Sequence, residues 1–596
     1  MTDIPLTISS LHQAYQSGTS PAQIVEQVFA KIETVGDPNI FLYLFDKSEV
    51  LAAANALGDF DPSKPLWGVP FAIKDNIDAA GKPTTAACPA YEYTAEADAF
   101  VVDQLLQAGA LLIGKTNLDQ FATGLVGVRT PYGAPLNSID PQIVPGGSSG
   151  GSGVAVGHGI VSFSLGTDTA GSGRVPAALN NIVGLKPSLG SLSATGLVPA
   201  CRSLDTISVF ALTVEDAYAA FQAAAAYDPA DSYARKFDVP DLTSPAAKMT
   251  IGIPSPQTIQ FFGDTVQQAA FDDTVQTLKS MGYTIEEVDF SPLYAVAEML
   301  YYGAWVAERY VVIEDLLKTN PDAVFPVTRQ IISAGESLSA GDAFKGIYRL
   351  KELIRQAEPA LSGLDMLCVP TIPTFYSVAD LEADPVTPNS NFGTYTNFVN
   401  LMDMCGIAVP TPARSDGRPG SVTLLAPAGQ DATVAALATR IEAMGQRRLG
   451  ATDWSLTPAD LPAAQTPDMI RIAVCGAHMA GLPLNTQLTE RGAVLKQATT
   501  TAPDYQFYAL PGDIPRPGLI RVAAGTGHEI AVEVWQMPLA EFGSFMRLIP
   551  APLGIGSVTL AGGDIVNGFI CEGAAAETAT DISGFGSWRA YLASNP

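Results

Sequence analysis

Residues 144–187 read VPGGSSGGSGVAVGHGIVSFSLGTDTAGSGRVPAALNNIVGLKP, and the fold is decided by how they are read. A glycine-serine loop leads into an apolar run, Ile160 to Leu165. A second turn follows, Asp168-Thr169-Ala170-Gly171-Ser172-Gly173-Arg174, and it opens a helix expected over 176–182. N–H groups at a turn that starts a helix lack intrahelical partners and favour negative charge. An oxyanion can therefore be stabilised there beside a nucleophilic Ser172, with the N–H groups of Thr169, Ala170, Gly171 and Ser172 as donors.

The run 146–153 does not read as a free linker, because strand-like apolar residues and a turn with its own Asp, Ser and Arg follow closely. A Walker-type phosphate loop needs a Lys after its last Gly, and none is present. A lipase-type elbow needs G-x-S-x-G with a histidine base, and Gly147-Ser148-Ser149-Gly150 does not supply that frame.

A serine nucleophile needs a base. The chain has four histidines, His12, His158, His478 and His528, and none sits in a triad context. The other option is a lysine. Residues 68–76, GVPFAIKDN, deliver Lys74 at the end of an apolar strand, where it can be half-buried. Its ordinary pKa near 10.4 must fall by about three for it to accept a proton near neutral pH. That takes roughly 4 to 5 kcal/mol of burial and hydrogen bonding.

The ordered motifs GVPFAIKDN, PGGSSGGSG, GTDTAGSGRVPA and GLKPS resemble those of the amidase signature family over roughly residues 65–450. The resemblance implies an α/β fold, a central mixed sheet covered by helices, and a Ser-Ser-Lys triad that needs neither cofactor nor metal. By position it makes Lys74 the base, Ser148 the bridging serine in a cis peptide, and Ser172 the nucleophile. The spacings, 74 residues and then 24, fit the family. Residues 123–127, with Arg129, are either a substrate-lining loop that includes Gly124 or a surface turn. Ala170 replaces the usual glycine, which requires a negative φ. Gly173 stands where a branched residue is common, and the expectation is that it leaves room for a small polar substrate.

Residues 294–312 read as one long aromatic helix. Within it, LYYGAWVAERY resembles the allophanate hydrolase branch of the family, which implies that Tyr301 and Arg309 hold a substrate carboxylate. On a straight helix these two lie about 80° apart, and Tyr302 aligns better with Arg309. The choice of Tyr301 rests on the resemblance.

With 596 residues the chain is too long for one core. The expected division is an amidase domain over 1–451, a proline-rich linker over 452–468, and a small α+β domain over 469–596. In the last, GAHMAGLPLN, PGDIPRPGLIRV and GFGSWRAYL resemble the C-terminal domain of allophanate hydrolases, similar in fold to gamma-glutamyl cyclotransferases. The resemblance implicates that domain in decarboxylation, with His478 as its candidate catalytic residue or, alternatively, as a structural one.

The net charge of −27 argues against a nucleic-acid partner, and with it against the tRNA-dependent amidotransferases of the family. Six scattered cysteines without a C-x-x-C pair suggest neither a zinc site nor a disulfide framework. No leader and no apolar span of about 18 residues is visible, so no membrane association and a cytoplasmic location are expected.

The resemblance implies hydrolysis of allophanate to ammonia and N-carboxycarbamate, which then decarboxylates. It further implies functional coupling to a urea carboxylase carried on another chain, and a homodimer. Two rival readings are another hydrolase of a small amide, such as malonamate, and a binding module with a decayed site.

Overall fold

The computed structural model describes residues 3–594 apart from 446, 459–460, 463–468, 513–515 and the side chain at 302. The chain divides into two compact units, Met1–Ala464 and Gln465–Pro596.

The first unit is built on a mixed sheet of eleven strands among the described residues. Third in its order, Pro70–Lys74 lies between Leu111–Thr116 and Phe163–Asp168, parallel to both. Every residue of these three strands is buried. That is why they read as near-continuous apolar runs rather than as alternating patterns. Beyond Phe163–Asp168 the sheet continues antiparallel through Thr206–Ala211, Val183–Lys186, Met404–Thr411, Gly420–Pro427 and Met366–Pro370. Thr250–Pro254 and Thr284–Val288 then close that edge in parallel. Helices cover the sheet. One of them, Pro21–Val35, has the expected Ser20 cap, here a capping box with Gln23, and Pro21 at its first position. The expected α/β architecture is therefore present.

Two readings of this unit change. The helix expected over 294–312 is two helices, Ser291–Tyr302 and Trp305–Thr319, broken at Gly303. A Cβ at Gly303 would lie 2.5 Å from the carbonyl oxygen of Met299, so only glycine fits the break. The expected linker also begins too early. Trp454 is 7% exposed, packs in the main core and donates its indole N–H to Asp3 at 3.1 Å. Ser244 donates to the carbonyls of Leu461 and Pro462. The proline content of 452–462 reflects an extended segment bound along the first unit. Residues 459–460 and 463–468 of that stretch lie outside the described residues.

The second unit is α+β. Its five-stranded sheet runs Val494–Thr500, Ala531–Pro538, Met469–Val474, Ile565–Cys571, Leu553–Thr559, with helices Leu539–Met546 and Trp588–Ser594. Arg516–Arg521, Tyr505–Leu510 and Thr580–Asp581 form a second small sheet. Val494–Thr500 is an exposed, polar edge strand, and Leu553–Thr559 carries two glycines. The six cysteines are all free and buried. No helix among the described residues is long and apolar enough to cross a membrane.

Candidate active site

Parallel pairing sets the geometry. Ile73 is registered with Leu165, so Lys74 leaves the end of its strand level with the end of the next one, and its ammonium reaches Thr167. Lys74 Nζ donates to Thr167 Oγ1 and to Ser148 Oγ, both at 2.7 Å. Ser148 follows a cis Gly147–Ser148 peptide and, like Lys74, has no solvent exposure. Burial strips the Lys74 ammonium of solvation and brings its pKa down to about 7, against the opposing pull of the Asp119, Asp205 and Asp168 carboxylates. A lysine that is half neutral near pH 7 can take a proton from Ser148.

The turn after Asp168 is held shut by a buried ion pair. Arg174 Nε and Nη2 donate to the two Asp168 oxygens at 2.9 and 3.0 Å, and Nη2 also donates to the carbonyls of Ala170 and Thr396. Gly173 N–H donates to the same carboxylate at 3.0 Å. With Ala170's carbonyl turned inward, the N–H groups of Ala170, Gly171 and Ser172 donate to no described residue. Adjacent free N–H groups beside a hydroxyl are what a tetrahedral intermediate's oxygen requires. Thr169, whose N–H likewise donates to no described residue, gives its hydroxyl to Asp205. Ala170 has no positive φ, as its Cβ demands.

Ser172 Oγ donates to the Gly124 carbonyl at 3.4 Å rather than to Ser148, so a relay toward Lys74 requires the hydroxyl to swing about χ1. Gly124 belongs to a loop threaded on Asp119, whose carboxylate accepts from the N–H groups of Val126, Gly127 and Arg129 at 2.8 to 3.2 Å. The loop is a built wall of the site, not a surface turn. One expectation is corrected here. A Cβ at Gly173 would meet Ser208 Cβ at 2.5 Å and Asp168 Oδ2 at 3.1 Å, so this glycine serves packing beneath the turn and opens no room for substrate.

The break at Gly303 brings Arg309 against Tyr301, with the guanidinium carbon 5.3 Å from the ring centroid. Arg309 is 2% exposed and Nη1 donates to Thr123 Oγ1 at 3.3 Å, while Nε has no partner. No carboxylate among the described residues forms a salt bridge with it. Arg174, by contrast, is ion-paired with Asp168, with only its Nη1 left without a partner.

In the second unit, His478 stacks on Phe569 at 5.0 Å and meets Phe545 edge-on at 5.3 Å. Nε2 pairs with Gln487 Oε1 at 2.9 Å, and burial holds its pKa below the ordinary value. The nearby charged pair is Glu533 with Arg589, at 2.9 Å.

Thr167 and Asp119 went unread in the sequence. Thr167 could have been found from strand register, since it lies beside Lys74 once the two strands are taken as parallel neighbours. Asp119 carries no such signal, because its carboxylate accepts only from backbone groups of its own loop, while its N–H donates to the Ser148 carbonyl at 2.9 Å.

A buried lysine at a strand end, bonded to a serine in the adjoining loop and near a turn with free N–H groups and a second serine, is the arrangement a serine hydrolase needs. The chain belongs to the amidase family, whose model matches residues 23–435, and residues 470–593 match the allophanate hydrolase C-terminal domain. It is similar to the urea amidolyase of Lachancea kluyveri, 44% identical over 544 residues, which covers 89% of this chain but 30% of that protein. The urea amidolyase of Saccharomyces cerevisiae is 41% identical over 598 residues, 97% of this chain and 32% of that protein. The chain thus spans about a third of the length of such relatives. The solved Kluyveromyces lactis allophanate hydrolase is 41% identical with a TM-score of 0.73, covering 99% of both chains.

Proposed function

We propose that this chain hydrolyses allophanate, and the observation that carries the reading is Arg309. A buried guanidinium without a carboxylate partner is costly, and it is tolerated where a ligand supplies the anion. It donates to Thr123, whose neighbour Gly124 holds Ser172, so the guanidinium and the hydroxyl flank one loop, as a substrate carrying both a carboxylate and an amide requires. Likeness to the Kluyveromyces lactis allophanate hydrolase along nearly the whole chain supports the same reading.

In this mechanism Ser172 Oγ attacks the terminal amide carbon while its proton passes to Ser148 and from there to Lys74. The carbonyl oxygen takes the developing charge among the N–H groups of Ala170, Gly171 and Ser172. Ser148 returns the proton to the departing nitrogen, which leaves as ammonia. Water then releases the acyl group from Ser172 as N-carboxycarbamate by the same relay. Loss of carbon dioxide from that product, with protonation at nitrogen, is assigned to the second unit with His478 as the candidate group. Carboxylation of urea by a urea carboxylase is the reaction that would supply the substrate. The exposed apolar side chains Phe344, Ile347 and Tyr348, on the helix Ala340–Leu361, support self-association as a homodimer.

A second reading, hydrolysis of malonamate, is favoured by the same arginine, since that carboxylate would be held equally well. Ammonia release from allophanate, malonamate, biuret and glutamine separates the readings. Turnover of allophanate at a kcat/KM well above the other three is expected, and preference for glutamine would overturn the proposal.

A further inference from the structure

The segment that leads to the Arg309 contact is held in a conformation its residues do not favour. Phe121 and Ala122, both buried, each have a φ of 51°, in the left-handed region that side chains normally avoid. Neither is a glycine, so the surroundings impose the conformation. The Phe121 N–H donates to the Ala86 carbonyl at 3.0 Å. One residue earlier, the fully buried Gln120 amide donates to the carbonyls of Ala87 and Ala323 at 3.0 and 3.3 Å and accepts from the Phe325 N–H at 2.6 Å. Two other segments of the chain thus hold the strain in place at the wall of the site.

The group it presents is the Thr123 hydroxyl. Across the left-handed turn, Thr123 Oγ1 donates to the Phe121 carbonyl at 3.1 Å. A hydroxyl has one proton to give. With that proton on Phe121, the oxygen meets Arg309 as an acceptor, and Arg309 Nη1 donates to it at 3.3 Å. Thr123 is 1% exposed, and its hydroxyl is the one hydrogen-bond partner of the Arg309 guanidinium among the described residues. The Thr123 carbonyl accepts from Arg129 Nη1 at 3.2 Å, so the backbone is braced here as well.

The two contacts on Arg309 act differently. Stacking on Tyr301 fixes the plane of the guanidinium but leaves the group free to turn within that plane. A hydrogen bond from one corner stops the turn. It thereby selects which N–H edge is left to face a ligand, and a bidentate contact with a carboxylate depends on that edge.

We propose that Thr123 is a positioning residue for the reaction, its hydroxyl setting the rotation of the Arg309 guanidinium toward the substrate carboxylate. The assignment rests on the reading of Arg309 as the group that holds that carboxylate. Loss of the hydroxyl should therefore weaken substrate capture, and only while Arg309 is present.

The test measures kcat and KM for allophanate in the full chain, with melting temperature as the check on folding. Thr123→Val keeps the shape and removes the acceptor, so KM should rise by about tenfold while kcat falls by less than about threefold. Thr123→Ser keeps the hydroxyl and should recover most of the loss. Thr123→Ala removes the hydroxyl without putting a methyl in its place, should match Thr123→Val, and takes its place if that variant does not fold. In an Arg309→Ala background, adding Thr123→Val should lower kcat/KM by less than about twofold further, since residues that act through one contact are not additive. An unchanged KM in the folded Val or Ala variant, a Thr123→Ser as impaired as they are, or a full further loss on top of Arg309→Ala would overturn the proposal. A wild-type KM in Arg309→Ala would overturn the functional reading beneath it, and this role with it.

Discussion

The Arg309 guanidinium faces the ring of Tyr301 at 5.3 Å across a break in the chain's helical path, although eight residues of unbroken helix would turn them apart. The pair therefore exists because of Gly303. Cation–π contact orients the planar guanidinium and leaves its edge for a carboxylate, a geometry an ammonium cannot copy. Arg309→Lys should raise KM for allophanate by about tenfold or more with a smaller effect on kcat, and Arg309→Ala more so. Unchanged KM in both variants would place the carboxylate elsewhere, and Arg174, already paired with Asp168, would have only its Nη1 to offer.

Gly303→Ala tests the break itself. The added methyl would press on the Met299 carbonyl at 2.5 Å, so the two helices must shift or straighten. Overpacking of this kind costs about 1 to 3 kcal/mol. The melting temperature should fall, and KM should rise as Tyr301 swings off Arg309. A variant less stable than wild type but normal in KM would mean that the stacking is incidental to substrate capture.

Ser172→Ala should abolish ammonia release without loss of fold, because the hydroxyl is the proposed nucleophile and donates only one long hydrogen bond, to Gly124. Lys74→Ala should be nearly as inactive, and Ser148→Ala should retain more residual rate. Steady-state ammonia assays on variants with native circular dichroism decide this. Substantial activity in Ser172→Ala would remove the assignment.

Lys74 was legible because an apolar run ending in a lysine reads as a buried strand end, and the roles of Ser148 and Ser172 came from the resemblance; strand pairing explains why they meet. Once Pro70–Lys74 and Phe163–Asp168 are parallel neighbours, Lys74 and the turn at 168–174 must share one edge of the sheet. The pairing of Tyr301 with Arg309 was legible only by resemblance, since helix periodicity argues against it and the break depends on a single contact at Gly303. Trp454 was misread for a similar reason. A tryptophan among prolines looks like linker until one sees the cleft it fills. Gly173 was misassigned because a missing side chain does not say which way it would have pointed.

The Lys74 pKa of about 7 predicts a pH profile. Only the neutral amine accepts a proton, so kcat/KM should rise with pH through an apparent pKa near 7 and level above it. The same shift has a stability consequence of defined sign. The folded-state value lies below the ordinary 10.5, so between about 7 and 10.5 the unfolded chain binds the extra proton and stability contributed by this group increases with pH. Lys74→Met should flatten that rise in melts at pH 7 and 9. An identical pH slope in wild type and variant would contradict a depressed lysine.

The division of labour between the two units can be read from a truncation, provided the cut respects the packing. Ending the chain at 451 would remove Trp454 from the main core, a loss of the kind that costs about 3 to 5 kcal/mol. Ending it after Pro462 keeps Trp454 and the Ser244 contacts. Lys74, Ser148, Ser172, Tyr301 and Arg309 all precede that cut, so the first ammonia should be released at a near-normal rate. If the second unit decarboxylates N-carboxycarbamate, carbon dioxide should keep pace with ammonia in the full chain and lag behind it in the shortened one. His478→Ala in the full chain should reproduce the lag. The ring's neutral state and its bond to Gln487 make it a group that could donate or accept at the substrate, while its packing on Phe569 would also serve a purely structural role. Gln487→Ala helps to separate these, since it removes the polar partner without touching the aromatic packing. A lag in both variants with unchanged melting temperature supports participation of the histidine. Carbon dioxide released in step with ammonia from the truncated chain would leave the second unit a structural role.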